Sequence, residues 1–301
     1  MNKPACFTAK IDPTLKDKLK ADLESQGFTI SNKPYAIFSA QKKGIVCVLY
    51  ESGSLVVQGK DKDSFIEFYL EPEILSNYSY TNREAYINFK SRIGVDEAGK
   101  GDYFGPLCVA GVFADEAQIR ELLSIGVRDS KKIGDKSILE MAARIKTKAL
   151  YSIITLVPPK YNELYAKFGN LNHLLAWCHA SVIENLAKKT GCKEAIIDQF
   201  AAESLVLSAI RRKNLSINLE QRHRGEEDPV VAAASILARA AFVEGIQKLS
   251  LEAGRELPKG ASAQVKKAAA LLLREKGPEE LAKYVKTHFK THGEVISANY
   301  S

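Results

Sequence analysis

The sequence predicts an α/β protein in two parts: a small α+β domain over residues 1–75, a linker over 76–92, and a larger α/β domain over 93–301. Three observations carry this. Short alternating apolar runs crowd the first 75 residues, with a helical stretch after the first of them. From Ile93 onward, brief apolar runs alternate with longer helical segments. Between the two, SNYSYTNREAYINFKSR is polar and weakly periodic. A chain of 301 residues has room for two domains of ordinary size.

Taken in order, ACFTAKI alternates like a strand, and Asp12-Pro13 opens a polar helix to about Gln26. YAIFSAQ, GIVCVLYES and SLVVQGK follow as strands joined by short turns bearing Lys and Gly. Asp63-Ser64 is expected to cap a last helix, FIEFYLEPEIL. The order β-α-β-β-β-α suits a small sheet backed by two helices. In the second part, Ile93–Glu97 and Leu107–Phe113 read as a hairpin, 134–149 as a helix and YSIITLVPP as a strand. Leu174–Lys189 is a strong helix, EAIIDQF a buried strand and LSINLEQ another strand. A charged loop, RHRGEEDP, then enters a long Ala-rich helix, and the tail from Ser262 is helical with a break at Gly277-Pro278. There are no internal repeats.

The composition, 46% hydrophobic and 26% charged with mean hydropathy −0.16, is that of a soluble globular protein. No apolar run is expected to reach the ~20 residues of a membrane helix, and MNKPACFTAKIDPTL lacks the apolar segment of a secretory signal. Cys6, Cys47, Cys108, Cys178 and Cys192 are odd in number and have no C-x-x-C spacing. Reduced, buried thiols in a cytoplasmic protein are expected, rather than disulfides or a zinc knuckle. A net charge of +7 and a pI near 9.0 weakly favour a polyanionic partner. Residues 1–75 hold ten Lys, no Arg and ten acids, so the excess lies beyond them. Within the first part, Lys42, Lys43, Lys60 and Lys62 gather near expected turns.

GVDEAGKGDYFGPL, at 94–107, poses the chemical question. Its start fits G-x-x-x-x-G-K, the opening of a phosphate-cradling loop, but Gly101 stands where that loop needs Ser or Thr for magnesium. Asp96 and Glu97 would also set two negative charges beside a triphosphate. The same acids suit cations instead. They close a short apolar strand, a lone acid ends Ile196-Ile197-Asp198, and Glu226-Glu227-Asp228 precedes a helix. Consecutive strand residues point to opposite faces, so Asp96 and Glu97 share a site only if the strand ends or bends there. Acids brought together in this way would bind Mg²⁺ or Mn²⁺ through oxygen.

GVDEAGKGDYFGPLCVAGV, DSKK at 129–132, IIDQF at 196–200 and VAAASILAR at 231–239 occur in the order seen in type 2 ribonucleases H. Within that family the chain resembles ribonuclease HIII, through Gly99–Pro106, LPKGAS at 257–262, the THFKTH tail and the N-terminal unit. The resemblance implies a ribonuclease H-like mixed sheet with flanking helices, preceded by a small TATA-box-binding-protein-like substrate domain. It implies cleavage of the RNA strand of RNA/DNA hybrids at a site of four carboxylates and two cations, leaving 5′-phosphate and 3′-hydroxyl ends. Asp96, Glu97 and Asp198 match the first three acids. Glu226 fits the fourth best, but the spacing to Ala232 is about one residue short, so Glu227 and Asp228 stay open. Gly99, Lys100 and Gly101 are expected to read the ribose, and Lys131 and Lys132 to contact phosphates.

Other conspicuous residues have plainer expectations. Tyr103-Phe104 is expected to pack beneath the glycine loop. His288 and His292, spaced i,i+4 without a third ligand, read as a solvated basic tail. His173 and His179 read as packing histidines on an apolar helix. Neither a membrane nor a protein partner is expected.

Overall fold

The computed structural model describes residues 6–78, 80–81, 87–127 and 134–300, with side chains as far as 298. The chain separates into two compact units, Met1–Asn88 and Phe89–Ser301.

In the first unit, β1 (Cys6–Lys10) leads through a 3-10 turn to α1 (Lys16–Ser25), followed by β2 (Thr29–Ser31), β3 (Ala36–Lys42), β4 (Ile45–Tyr50) and β5 (Ser54–Gln58). The five strands form an antiparallel sheet in the order β1-β5-β4-β3-β2. Asp12 starts the turn by accepting the Thr14 N–H at 2.9 Å. α2 (Lys62–Phe65) continues as a π-helical stretch, Ile66–Leu75, around Pro72, which has no N–H to offer an α-helix. Leu19, Leu23, Ile66 and Leu70 from these helices close on Cys47, Leu55 and Val57 of the sheet. β2 was not expected: three residues are too few to display an alternation. Tyr80 and Thr81, in the stretch read as linker, donate their backbone N–H groups to the buried Glu71 carboxylate. Lys62 is not a free surface charge, because it is buried and paired with Asp63.

The second unit is built on a mixed five-stranded sheet. Its strands are β6 (Arg92–Ala98), β7 (Leu107–Ala114), β8 (Leu150–Leu156), β9 (Glu194–Asp198) and β10 (Asn218–Arg222), in the order β10-β9-β6-β7-β8. β6, β7 and β8 are antiparallel neighbours; β9 and β10 run parallel to β6. The helices are α3 (Glu116–Ser124), α4 (Asp135–Lys146), α5 (Pro158–Phe168), α6 (Leu171–Thr190), α7 (Glu203–Arg211), α8 (Pro229–Ala253), α9 (Ala263–Lys276), α10 (Pro278–Leu281) and α11 (Lys290–Tyr300). Asp115 and Gln118 form a reciprocal cap at the start of α3, a local signal for a helix that the periodicity alone did not reveal.

α6 and α8 cover opposite faces of the sheet. Ile93, Val95 and Val109 pack with Val182, Ile183 and Leu186 of α6. On the other face, a Cβ at Gly94 would fall 2.5 Å from the Val230 carbonyl carbon, so the bare glycine lets α8 lie directly on β6. Among the described residues α8 is the one helix long and apolar enough to cross a membrane, contrary to the expectation that no run would be. Most of it is buried within the protein, and a helix covered on every side carries apolar residues all round.

Candidate active site

Parallel pairing of β6 with β9 sets Val95 opposite Ile197, and both side chains belong to the core on the α6 side. The next residues are Asp96 and Asp198, which the two-residue period turns to the α8 side at the carboxyl ends of neighbouring strands. Ser235 of α8 donates its hydroxyl to Asp96. The Gly225 N–H donates to Asp198 Oδ1 at 2.8 Å, and a Cβ on Gly225 would stand 2.9 Å from Asp198 Cα. Only glycine lets the 3-10 turn Gly225–Glu227 close on the strand end, and it carries a half-buried Glu226 there.

The three candidates for a fourth acid occupy different surroundings. Asp228 caps α8, its Oδ1 accepting the Val230 N–H at 2.9 Å, while its Oδ2 takes the buried Arg92 Nε at 2.9 Å. Glu227 is exposed and lies 3.7 Å from Arg224. Glu226 precedes both and is half-buried, directly after Gly225, whose N–H touches Asp198.

Glu97 lies on the opposite, α6 side. His179 Nε2 is 3.1 Å from its Oε2, and Lys100 Nζ is 3.5 Å from its Oε1. Burial alone would raise the Glu97 carboxyl, but the hydrogen bond and charge of His179, together with Lys100, hold it below the usual range. Asp96 behaves in the opposite way. Burial, then the charge of Glu97, pushes its carboxyl up to about 7, and Asp198 adds to the repulsion. His179 is thus more than a packing residue: it is fully buried, its ring 4.7 Å from Phe200, and it holds an acid. No spacing in the sequence could have shown this, because α6 and β6 meet only in the fold.

Among the described residues, no three His, Cys, Asp or Glu side chains already close around a common point. Each acid instead faces a protein donor: Asp96 the Glu97 N–H, Glu97 its histidine, and Asp198 the Gly225 N–H. The donor set is nevertheless the right chemistry for a hard divalent cation, all carboxylate oxygen, with a like-charge strain at Asp96 that a cation would relieve. The apolar hollow lined by Phe168, Trp177 and Leu205, between α6 and α7, holds none of these acids.

The glycine loop follows directly. Gly99 has φ +85°, and a Cβ there would meet the Pro106 carbonyl oxygen at 2.2 Å, whereas a Cβ at Gly101 would enter open space. Lys100 is part-exposed, its Nζ 5.8 Å from the Phe200 ring centroid. Tyr103 and Phe104 are fully buried, the packing role expected of them. Lys131 and Lys132 lie outside the described residues. His288 and His292 depart from the solvated tail expected: His288 stacks on Tyr165 at 4.1 Å, and His292 Nδ1 lies 2.9 Å from the Tyr103 hydroxyl. The apolar surface that draws them in comes from α5 and the glycine loop, remote in sequence.

A family model described as Ribonuclease HII matches residues 93–292, the span that holds every one of these acids. The ribonuclease HIII of Protochlamydia amoebophila is 52% identical over 285 residues, covering 95% of each chain. That of Chlamydia trachomatis serovar L2 is 49% identical over 298 residues, covering 98% of this chain and 99% of the relative. The chain belongs to the ribonuclease HIII family. It is therefore an endoribonuclease of the ribonuclease H type, in a family of metal-dependent enzymes that act on RNA/DNA hybrids. The ribonuclease HIII fold is shared over the whole chain: the crystal structure of Bst-RNase HIII in complex with Mn²⁺ aligns with TM-score 0.69 at 28% identity, covering 98% of this chain and 99% of that one. Aquifex aeolicus RNase H3 aligns with TM-score 0.57 at 27% identity, over 94% of this chain and all of that one. A second model, for a domain of unknown function, matches residues 7–82.

Proposed function

We propose that this member of the family hydrolyses the RNA strand of hybrids with two divalent cations per site, Mg²⁺ or Mn²⁺, leaving 5′-phosphate and 3′-hydroxyl ends. The observation that carries this is the placing of Asp96 beside Asp198 at adjacent strand ends, with the Gly225 turn closed on Asp198. Asp96, Glu97, Asp198 and Glu226 would hold the cations, Glu97 reaching from the end of β6, close enough for its charge to act on Asp96. Once bound, such ions supply Lewis acidity for the attacking water and for the charge on the leaving 3′-oxygen. The protein's own part is to fix the carboxylates: Ser235 and the Glu97 N–H orient Asp96, His179 and Lys100 orient Glu97, and Gly225 orients Asp198. Gly99, Lys100 and Gly101 face the ribose, where the 2′-hydroxyl separates RNA from DNA. Lys131 and Lys132 contact phosphates, and the enzyme works in the cytoplasm.

A labelled hybrid, duplex RNA, duplex DNA and a DNA duplex with one embedded ribonucleotide, each with Mg²⁺, Mn²⁺ or chelator, test the proposal. Cleavage of the hybrid alone among the uniform duplexes, abolished by chelator, is expected. Equal cutting of duplex DNA, or activity that survives chelation, overturns it. Between the candidate acids, Glu226→Gln is expected to lose about a hundredfold or more in rate, the scale of a disrupted metal site. Glu227→Gln, which removes an exposed carboxylate, stays within about twofold; the reverse ranking would move the fourth ligand.

The N-terminal unit is assigned to substrate binding, through the exposed Lys43 and Lys60 rather than the buried Lys62. Lys43→Ala with Lys60→Ala is expected to raise KM several-fold, to flatten the salt dependence of binding by about two phosphate contacts, and to leave kcat alone. An unchanged salt slope would remove this role.

A further inference from the structure

Lys286 is fully buried, and nothing in the chemistry above calls for it. Its Nζ donates to the backbone carbonyls of Asp102 at 2.8 Å and Gly105 at 2.7 Å, and it stands 5.6 Å from the centre of the Tyr161 ring. The Asp102 carboxylate does not neutralise it at contact range, being engaged with the Gly260 N–H at 2.6 Å. A buried ammonium held mainly by carbonyls is a costly arrangement, and a well-packed apolar residue in such a place is often neutral or stabilising. Stability alone is thus a poor reason for this lysine. The main chain around it points to another. Lys286 N–H donates to Tyr103 O at 2.9 Å, Gly105 N–H donates to Tyr284 O at 3.1 Å, and Phe104 bridges Val285. These bonds fasten one edge of the loop to residues 284–286, while Nζ gathers two carbonyls that the chain sets three residues apart.

We propose that Lys286 is a positioning residue whose ammonium holds the curl of the Gly99–Gly105 loop and so sets how Gly99, Lys100 and Gly101 meet the ribose. This rests on the assignment of that loop to the substrate. A lysine suits the task because its three donors radiate from one compact point, which a planar guanidinium does not reproduce.

The group has a pH range of action. Burial pushes the Lys286 ammonium down to about 8, the charges of Asp102 and Cys108 acting the other way, with Tyr161 and His288 as its other polar neighbours. The folded value lies below the unfolded 10.5, so the charged clamp is complete only well below pH 8 and is lost as pH rises through it.

Lys286→Met, which keeps the stem and removes the donors, is compared with wild type on a uniform RNA/DNA hybrid, with amide exchange of residues 99–106 in the free protein. The expected result is a KM raised about tenfold with kcat within about threefold, the scale of one lost charged hydrogen-bond set. Faster exchange should be confined to the loop, and the rise of wild-type KM between pH 7.5 and 9 should be absent from the variant. Lys286→Gln, which keeps an amide donor without the reach to both carbonyls, should fall between the two and decides the matter if the Met variant does not fold. Unchanged KM and loop exchange in the folded variants overturn the proposal. So does loss of cooperative unfolding in both, which would make Lys286 a support of the whole unit. If wild type leaves every hybrid uncut, the substrate assignment has failed instead, and the exchange experiment still reads the clamp.

Discussion

Asp96→Asn is expected to leave hybrid cleavage about a thousandfold or more below wild type, equivalent to roughly 4 kcal/mol of transition-state stabilisation, while the metal-free protein becomes more stable. The amide keeps the shape and can still accept from the Glu97 N–H and the Ser235 hydroxyl. What it lacks is the charge that a hard cation requires. The gain in stability has a definite pH dependence. The folded Asp96 carboxyl titrates near 7 against an ordinary 3.8, so the native state binds that proton more tightly than the unfolded chain. Its contribution is fully present below about 4 and is lost as pH rises through 7. The advantage of Asp96→Asn over wild type should therefore widen from pH 4 to pH 8 in denaturant titrations run with chelator. Near-wild-type cleavage by this variant would remove Asp96 from the metal site, and a pH-independent difference would remove the like-charge strain.

Asp228→Asn should do the converse: stability falls by about 3 kcal/mol or more, and activity at low temperature persists. Asparagine still caps a helix, so the Val230 N–H keeps an acceptor. Arg92, however, is left charged in the interior without its anion, and breaking one side of a buried ion pair costs about 3–5 kcal/mol. Denaturant midpoints and a cold activity assay separate this from a catalytic loss. Should Asp228→Asn abolish cleavage while leaving stability intact, Asp228 rather than Glu226 would be the fourth ligand.

The contrast between Asp228 and Glu226 also marks how far the sequence could be read. Glu226-Glu227-Asp228 was visible as an acidic group before a helix, and local spacing allowed any of the three to join the site. The distinction depends on Arg92, 136 residues away, which the β6 strand carries beneath the start of α8. Glu97 is similar. Its alternation away from Asp96 was predictable from the strand period, but its contact with His179 exists only because α6 packs on that face of the sheet. His288 and His292 were misread for the same reason: their stacking partners, Tyr165 and Tyr103, come from other elements.

Alternation along β6 and β9, the apolar run of α8 and the glycines at 94–105 are properties of neighbouring residues, so the sequence by itself determined all the strands but the short β2, the longest helices and the acids at the strand ends. Which acids become neighbours is a different kind of fact. Strand order β9-β6, the seating of α8 against Gly94 and the closure of Gly225 on Asp198 bring together groups that are not neighbours along the chain. Only the tertiary structure decided those, because burial and ion pairing act through space and are indifferent to distance along the chain.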